Sequence, residues 1–202
     1  MIEAGRDDSG KRKEAGVFVY HTKESAPAES VPLIEQSVAV FGFFPKLHQI
    51  MAEAPATYEA YVNTFNLFQT ATTLSPIEQQ VVMMTANYEN RCHYCTAGHS
   101  MIMRMQKMPA DLIAALRDGL PLSDGKLEVL RTFARLLIER RGHIGEAELQ
   151  AFLGAGYSKR QALEVLAGLA AKLISNFTNA LAHTELDDPV KPYAWMHPQE
   201  RG

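Results

Sequence analysis

The chain has 202 residues, 47% hydrophobic and 21% charged, which is enough material for one domain with a full core and is an ordinary globular composition. Its 20 basic and 23 acidic residues leave a net charge of −3, and the one short basic run, Lys11-Arg12-Lys13, reads as a solvated tail. Nucleic-acid phosphates and anionic lipid are therefore not expected partners. No stretch reaches the ~20 uninterrupted apolar residues of a membrane span. The N-terminal residues lack the apolar core of a secretory signal, so the expected compartment is the cytoplasm. There ordinary thiols stay reduced, and a disulfide between closely spaced cysteines is expected to be catalytic rather than structural.

Residues 1–28 carry charges, Gly, Ser and Pro with little apolar periodicity and read as a mobile tail, in which Val17-Phe18-Val19-Tyr20 can dock on the body or on a neighbouring subunit. Helical spacing then covers Val31 to Phe41, until Gly42 and Pro45 break it. Lys46 to Glu53 and Pro55 to Gln69 read as the next two helices. Ser75-Pro76-Ile77-Glu78 is a capping-box start for a helix running to about Tyr88. After the Glu89-Asn90-Arg91 break, another helix runs from near Cys92 to about Gln106, followed by Pro109 to Asp118 and Asp124 to Arg141. Glu146 to Leu153 and a long helix from Ser158 to His183 complete the set. In the last helix Ser158 and Gln161 have capping-box spacing, and Leu166, Leu169, Leu173, Phe177 and Leu181 recur at intervals expected of a core face. No period-two alternation is sustained, so no sheet is expected. The prediction is an all-α, single-domain bundle of about eight or nine helices over residues 29–188. An irregular tail follows over 189–202, with Tyr193 and Trp195 large enough to dock.

Cys92-His93-Tyr94-Cys95-Thr96-Ala97-Gly98-His99 carries the chemistry. Two thiols with two residues between them on a first helical turn can reach each other, which is the geometry of a dithiol/disulfide couple. The helix N-terminus favours the thiolate. His99 lies four residues after Cys95, one turn along the same face, where an imidazole can accept or return a proton. A thiolate to attack oxygen, a second thiol to resolve and a proton manager are what peroxide reduction requires. The same three residues could instead hold zinc with a fourth ligand such as His48 or His183, or the cysteines could be two small buried side chains. Covalent haem attachment is excluded, because Thr96 rather than His follows the second cysteine. No cofactor is expected.

The Cys92–His99 segment, the Leu74-Ser75-Pro76 helix start, the Gly42 to Pro45 break, Pro55 and the last helix with Asn176 and Asn179 together resemble the alkylhydroperoxidase D-like branch of the carboxymuconolactone decarboxylase superfamily. The resemblance covers roughly Val31 to Leu186 and implies that family's all-α fold. It also implies a thiol-dependent peroxidase, with Cys95 attacking the peroxide, Cys92 resolving the product to a disulfide and His99 relaying protons. The family's relay glutamate falls on Gln80, which can orient a hydrogen bond but cannot ionise. The implied partners are a small hydroperoxide, a dithiol or protein reductant, and further copies of the chain in a trimer or hexamer. The superfamily's decarboxylases generally lack the thiol pair, so lactone decarboxylation is the lesser expectation.

Overall fold

In the computed structural model, which describes residues 17–201, helices begin where the sequence supplies caps. The order is α1 (Val31–Phe41), α2 (Lys46–Met51), α3 (Pro55–Ala71), α4 (Pro76–Glu89), α5 (His93–Met105), α6 (Ala110–Asp118), α7 (Gly125–Glu139), α8 (Glu146–Gly154) and α9 (Lys159–Ala182), with no strand among the described residues. Both capping boxes form, Ser75 with Glu78 on α4 and Ser158 with Gln161 on α9. Asp124 caps α7 by accepting from the amides of Lys126 and Leu127. Gly42 ends α1 at φ 75°, a left-handed conformation that a side chain would strain. The expected mobile tail lies outside the described residues as far as residue 16. Beyond it, His21 pairs with Glu53, and the Tyr20 hydroxyl accepts from the Glu185 amide at 2.9 Å.

α4 is the central helix, buried at every position from Glu78 to Asn87, and α7 and α9 pack on it. The main core joins Phe68, Val81, Val82, Met83, Met84, Leu130, Phe133, Phe152 and Val165. Phe152 is stacked between Phe133 at 4.0 Å and Tyr157 at 4.6 Å, so truncating it should cost about 3–5 kcal/mol. A smaller cluster of Ile34, Leu47, Met51, Tyr58 and Tyr61 ties α1, α2 and α3 together. α3 approaches α9 closely because position 168 is glycine, where a Cβ would come 2.7 Å from the Phe68 ring.

α9 corrects one expectation. Its inward face consists of Val165, Gly168, Ala171, Lys172, Ser175, Asn176 and Asn179. Of the residues whose spacing suggested a core face, Leu169 packs partly against the core, but Leu166, Leu173, Phe177 and Leu181 are 44%, 50%, 56% and 69% exposed. Periodicity identified a common stripe without revealing which way it points. The same helix is long and apolar enough to cross a membrane by length and composition, yet it packs inside the bundle against α2, α3 and α4 with its polar face inward.

After α9 the chain folds back in two 3-10 turns, Asp188–Tyr193 and Pro198–Glu200, the first packed on α5. Trp195 is buried beside Tyr88 and His93, and its indole N–H donates to the Arg117 carbonyl at 2.8 Å.

Candidate active site

The two thiols sit where α4 hands over to α5. Arg91 turns the chain at φ 50°, and the Cys92 amide donates back to the Asn87 carbonyl at 2.9 Å. Cys92 is then the N-cap of α5, its sulfur accepting from the Cys95 amide at 3.4 Å. Cys95 follows in the first turn, where the amides and the dipole of the helix favour negative charge. Both thiols are free, and both side chains are buried.

α9 covers this turn with polar groups. Asn179 Nδ2 lies 3.2 Å from Cys95 Sγ and 3.8 Å from Cys92 Sγ, and Ser175 Oγ lies 3.8 Å from Cys95 Sγ. One turn earlier Lys172, 1% exposed, brings its Nζ to 3.1 Å from His99 Nε2. Among the described residues Lys172 forms no ion pair with a carboxylate. A buried ammonium without a counter-charge is costly, so it is placed to meet a negative charge that the site itself develops.

An ammonium only donates, so His99 Nε2 accepts and the ring proton sits on Nδ1. That nitrogen lies 2.8 Å from Gln80 Oε1, which accepts its hydrogen bond. Burial, reinforced by the Lys172 charge, pushes the His99 pKa well below its ordinary 6.5, so the ring is neutral at physiological pH. Among the described residues no hydrogen bond joins His99 to either sulfur; the ring links Gln80 to Lys172 instead.

The two cysteines are unequal. Burial opposes a Cys95 thiolate, but the hydrogen bond from Cys92, the Lys172 charge and contacts from Ser175 and Asn176 outweigh it and hold Cys95 below the ordinary thiol value. The same hydrogen bond to Cys95, with burial, pushes the Cys92 thiol up. Cys95 is the thiolate of the pair and Cys92 the thiol.

Cys95, His99 and Lys172 line a cavity of about 350 Å³ whose other walls are largely apolar, with Phe41, Tyr61, Phe65, Met101 and Ile102 among them. A wider hollow of about 640 Å³ beside His21, Glu35 and Gln49 contains neither cysteine.

All four residues singled out in the sequence, Cys92, Cys95, His99 and Gln80, therefore meet in one buried cluster, while His93 points outward to Glu200 at 2.8 Å. A zinc site does not assemble. His48 is engaged at Nδ1 by Ser37 and Tyr58, and no group of three or more His, Cys, Asp or Glu able to hold a metal converges among the described residues. Sequence reasoning missed Lys172, Ser175 and the contact of Asn179 with the thiols. One signal was there to be read: Lys172 is the only Asp, Glu, Lys or Arg between Glu164 and Glu185, in the middle of an apolar helix.

No protein-family model matches the chain, and no curated protein matches it. Solved structures do. An alkylhydroperoxidase AhpD core, a peroxidase-related protein from Ralstonia eutropha JMP134, superposes with a TM-score of 0.77 at 18% identity, covering 87% of this chain and 94% of its own. A peroxidase-related protein from Silicibacter sp. TM1040 gives 0.73 at 18% identity, covering 88% and 95%. A debrominase solved in complex with 2,3,4-tribromopyrrole gives 0.73 at 16% identity, covering 89% and 96%. The chain thus has the alkylhydroperoxidase D-like all-α fold.

Proposed function

We propose that this protein reduces organic hydroperoxides with its own dithiol. The observation that carries the reading is the buried Lys172, which has no carboxylate partner among the described residues, beside the Cys92–Cys95 pair at the wall of an apolar cavity. The Cys95 thiolate attacks the terminal oxygen of the hydroperoxide and the O–O bond breaks. The departing alkoxide takes a proton from the Lys172 ammonium and leaves as the alcohol, with Cys95 now a sulfenic acid. Cys92 Sγ then attacks Cys95 Sγ, and the hydroxide that leaves carries away the Cys92 proton as water. A dithiol reductant supplies two electrons and two protons to restore the starting state. His99, kept neutral between Gln80 and Lys172, aims the ammonium, and the second of the reductant's two protons restores it.

The test is a single-turnover reaction with cumene hydroperoxide, followed by thiol titration and intact mass. The wild type should lose two hydrogens as both thiols disappear. Cys95→Ser should consume no peroxide, whereas Cys92→Ser should stop at a sulfenic acid that a dimedone-type trap labels. If no organic hydroperoxide oxidises the pair, the reading is wrong. The aromatic lining of the cavity supports a second reading, reductive dehalogenation of a small aromatic ring, in which the same two electrons and a proton replace halogen by hydrogen. Bromide release from 2,3,4-tribromopyrrole in the same assay would favour it.

We also propose that the chain works as a homo-oligomer. The outward stripe of α9, Leu166, Leu173, Phe177 and Leu181, supports this, since four large apolar side chains on one helix face are unusual on a lone soluble surface.

A further inference from the structure

The cavity beside Cys95 has a polar wall that the thiol chemistry does not use. Among its lining side chains, Asp187 accepts from the Lys46 amide at 3.1 Å and from the Tyr94 hydroxyl, and Lys172 and His99 hold each other. His48 and Tyr61 remain. They are 6% and 7% exposed, and their rings meet edge to face with centroids 5.6 Å apart. A side chamber of about 70 Å³ between α1 and α3 shares both residues with the cavity, along with Val40, Phe41 and Phe65. Neither His48 Nε2 nor Tyr61 Oη takes a hydrogen bond among the described residues. Neither is sealed in protein, because the polar side-chain atoms there that are both buried and unbonded are Thr96 Oγ1, Asn179 Oδ1 and Thr184 Oγ1. The surface that His48 Nε2 and Tyr61 Oη keep therefore belongs to the hollows they line. Buried polar groups ordinarily have partners, so a bound molecule is the natural source of these two.

Local bonding decides what each atom offers. The Tyr58 hydroxyl spends its proton on the Leu33 carbonyl at 3.2 Å, so toward His48 Nδ1, 3.0 Å away, its oxygen can only accept. His48 Nδ1 therefore carries the ring proton, with Ser37 Oγ at 2.8 Å as its second neighbour, and Nε2 is a bare acceptor. Burial pushes His48 down to about 4, so the ring stays neutral. Burial and the charge of Cys95 push the Tyr61 phenol up, so it keeps its proton and can donate.

We infer that this wall selects the substrate: a small organic molecule with an apolar body and, besides the group that reacts at Cys95, a hydroxyl that donates to His48 Nε2 and accepts from Tyr61 Oη. The inference rests on the cavity being the substrate site of the thiol pair, as proposed above. A hydroxyl meets one acceptor and one donor with a single oxygen. A carbonyl would set its own lone pair against Nε2, and a methyl group would leave both protein atoms unpaired. A site whose polar groups are built to bind a hydroxyl discriminates strongly against the analogue that lacks it. Phe65, Met101 and Ile102 supply the surface for the apolar body, and a cavity of about 350 Å³ admits one substituted ring rather than a peptide.

The test compares two molecules of one shape, 4-isopropylphenol and 4-isopropyltoluene, which differ by hydroxyl against methyl. Their binding is read as protection of Cys95 from iodoacetamide in the reduced protein, which reports occupancy of this cavity and requires no turnover. The phenol should protect at about ten- to a hundredfold lower concentration than the hydrocarbon. Tyr61→Phe removes the donor and should narrow that ratio by roughly tenfold. His48→Asn keeps an amide donor toward Ser37 and Tyr58 but deletes Nε2, and should narrow it likewise; melting temperatures establish that both variants are folded. Turnover extends the comparison, with cumene hydroperoxide carrying a para hydroxymethyl group reaching half-saturation below the para ethyl analogue. If neither hydroperoxide oxidises the thiols while the phenol still protects preferentially, the peroxidase reading falls and the hydroxyl site stands. Equal protection by phenol and hydrocarbon would overturn the inference and leave the wall wetted only. A preference that survives intact in folded Tyr61→Phe and His48→Asn would overturn it too, by moving the hydroxyl to other partners.

Discussion

The two faces of α9 invert the usual arrangement of a helix in a globular protein. Lys172, Ser175, Asn176 and Asn179 point into the bundle, while Leu166, Leu173, Phe177 and Leu181 point out. Each face carries the wrong chemistry for a helix whose only task is to complete a core. The inward face gives up hydrophobic burial to hold a charge beside a thiolate, and the outward face leaves apolar surface uncovered. The difference teaches that polarity inside marks the chemistry, while the apolarity outside is what supports the proposed self-association.

The largest expected effect comes from discharging the inward face. Lys172→Met keeps length and apolar stem but removes the ammonium. Peroxide reduction should fall roughly 10²–10⁴-fold, the range a positioned proton donor contributes. Stability should hold or rise, because a buried charge replaced by a well-packed apolar side chain is often neutral or stabilising. A fall in both activity and melting temperature would instead make Lys172 a structural residue. The pH dependence gives an independent readout. Cys95 is an acid held below its ordinary value of 9.0, so its thiolate persists as pH falls from there and is lost only at the lower folded-state value. In Lys172→Met the rate of alkylation of Cys95 by iodoacetamide, measured in the Cys92→Ser background, should decline from a higher pH. The two titration curves should be displaced in that direction only.

Charging the outward face should produce the next effect. Burying two half-exposed apolar side chains in an interface is worth about 3 kcal/mol, so Phe177→Glu with Leu181→Glu should weaken self-association by about a hundredfold. Sedimentation velocity across a dilution series measures it. A wild type that stays monomeric at every concentration would remove the homo-oligomer from the account, and the stripe would then need another partner.

Much of this was legible in the sequence because it is written in local rules. Ser75, Ser158 and Asp124 mark helix starts through hydrogen bonds closed within four residues, and the ends of α1 and α6 fall at Gly42 and Gly119. Cys92, Cys95 and His99 share one helical face, so their proximity needs only α5. Lys172 lies 73 residues from His99, and its meeting with that ring depends on how α9 rotates in the bundle, which no local pattern specifies. The misread stripe has the same cause. A spacing of three and four says that residues share a face, and tertiary packing decides whether that face is inside. His99 was legible as a neighbour of the thiols; its neutral tautomer, set by Gln80 on one side and Lys172 on the other, was not.

That tautomer sets up the smallest expected effect, at Gln80. The amide oxygen accepts from His99 Nδ1–H without adding charge, so His99 is neutral and Lys172 is the one cation of the His99–Lys172 pair. Gln80→Glu keeps the shape and the accepted hydrogen bond but places a carboxylate against the ring. A carboxylate favours the imidazolium, so the folded-state pKa of His99 should rise from its depressed value. His99 would then be charged below that higher value and lose its proton as pH rises through it. The wild-type rate should follow one ionisation, that of Cys95, whereas Gln80→Glu should show a second one in its pH profile, with a change in maximal rate within about tenfold. A compensating loss is built in, since the new carboxylate draws on the same Lys172 charge that steadies the Cys95 thiolate. Titration of the His99 ring by heteronuclear NMR should show the shift directly. An unaltered ring titration in a folded Gln80→Glu protein would mean that Lys172 alone governs His99, and Gln80 would then be no more than a filler of space beside it.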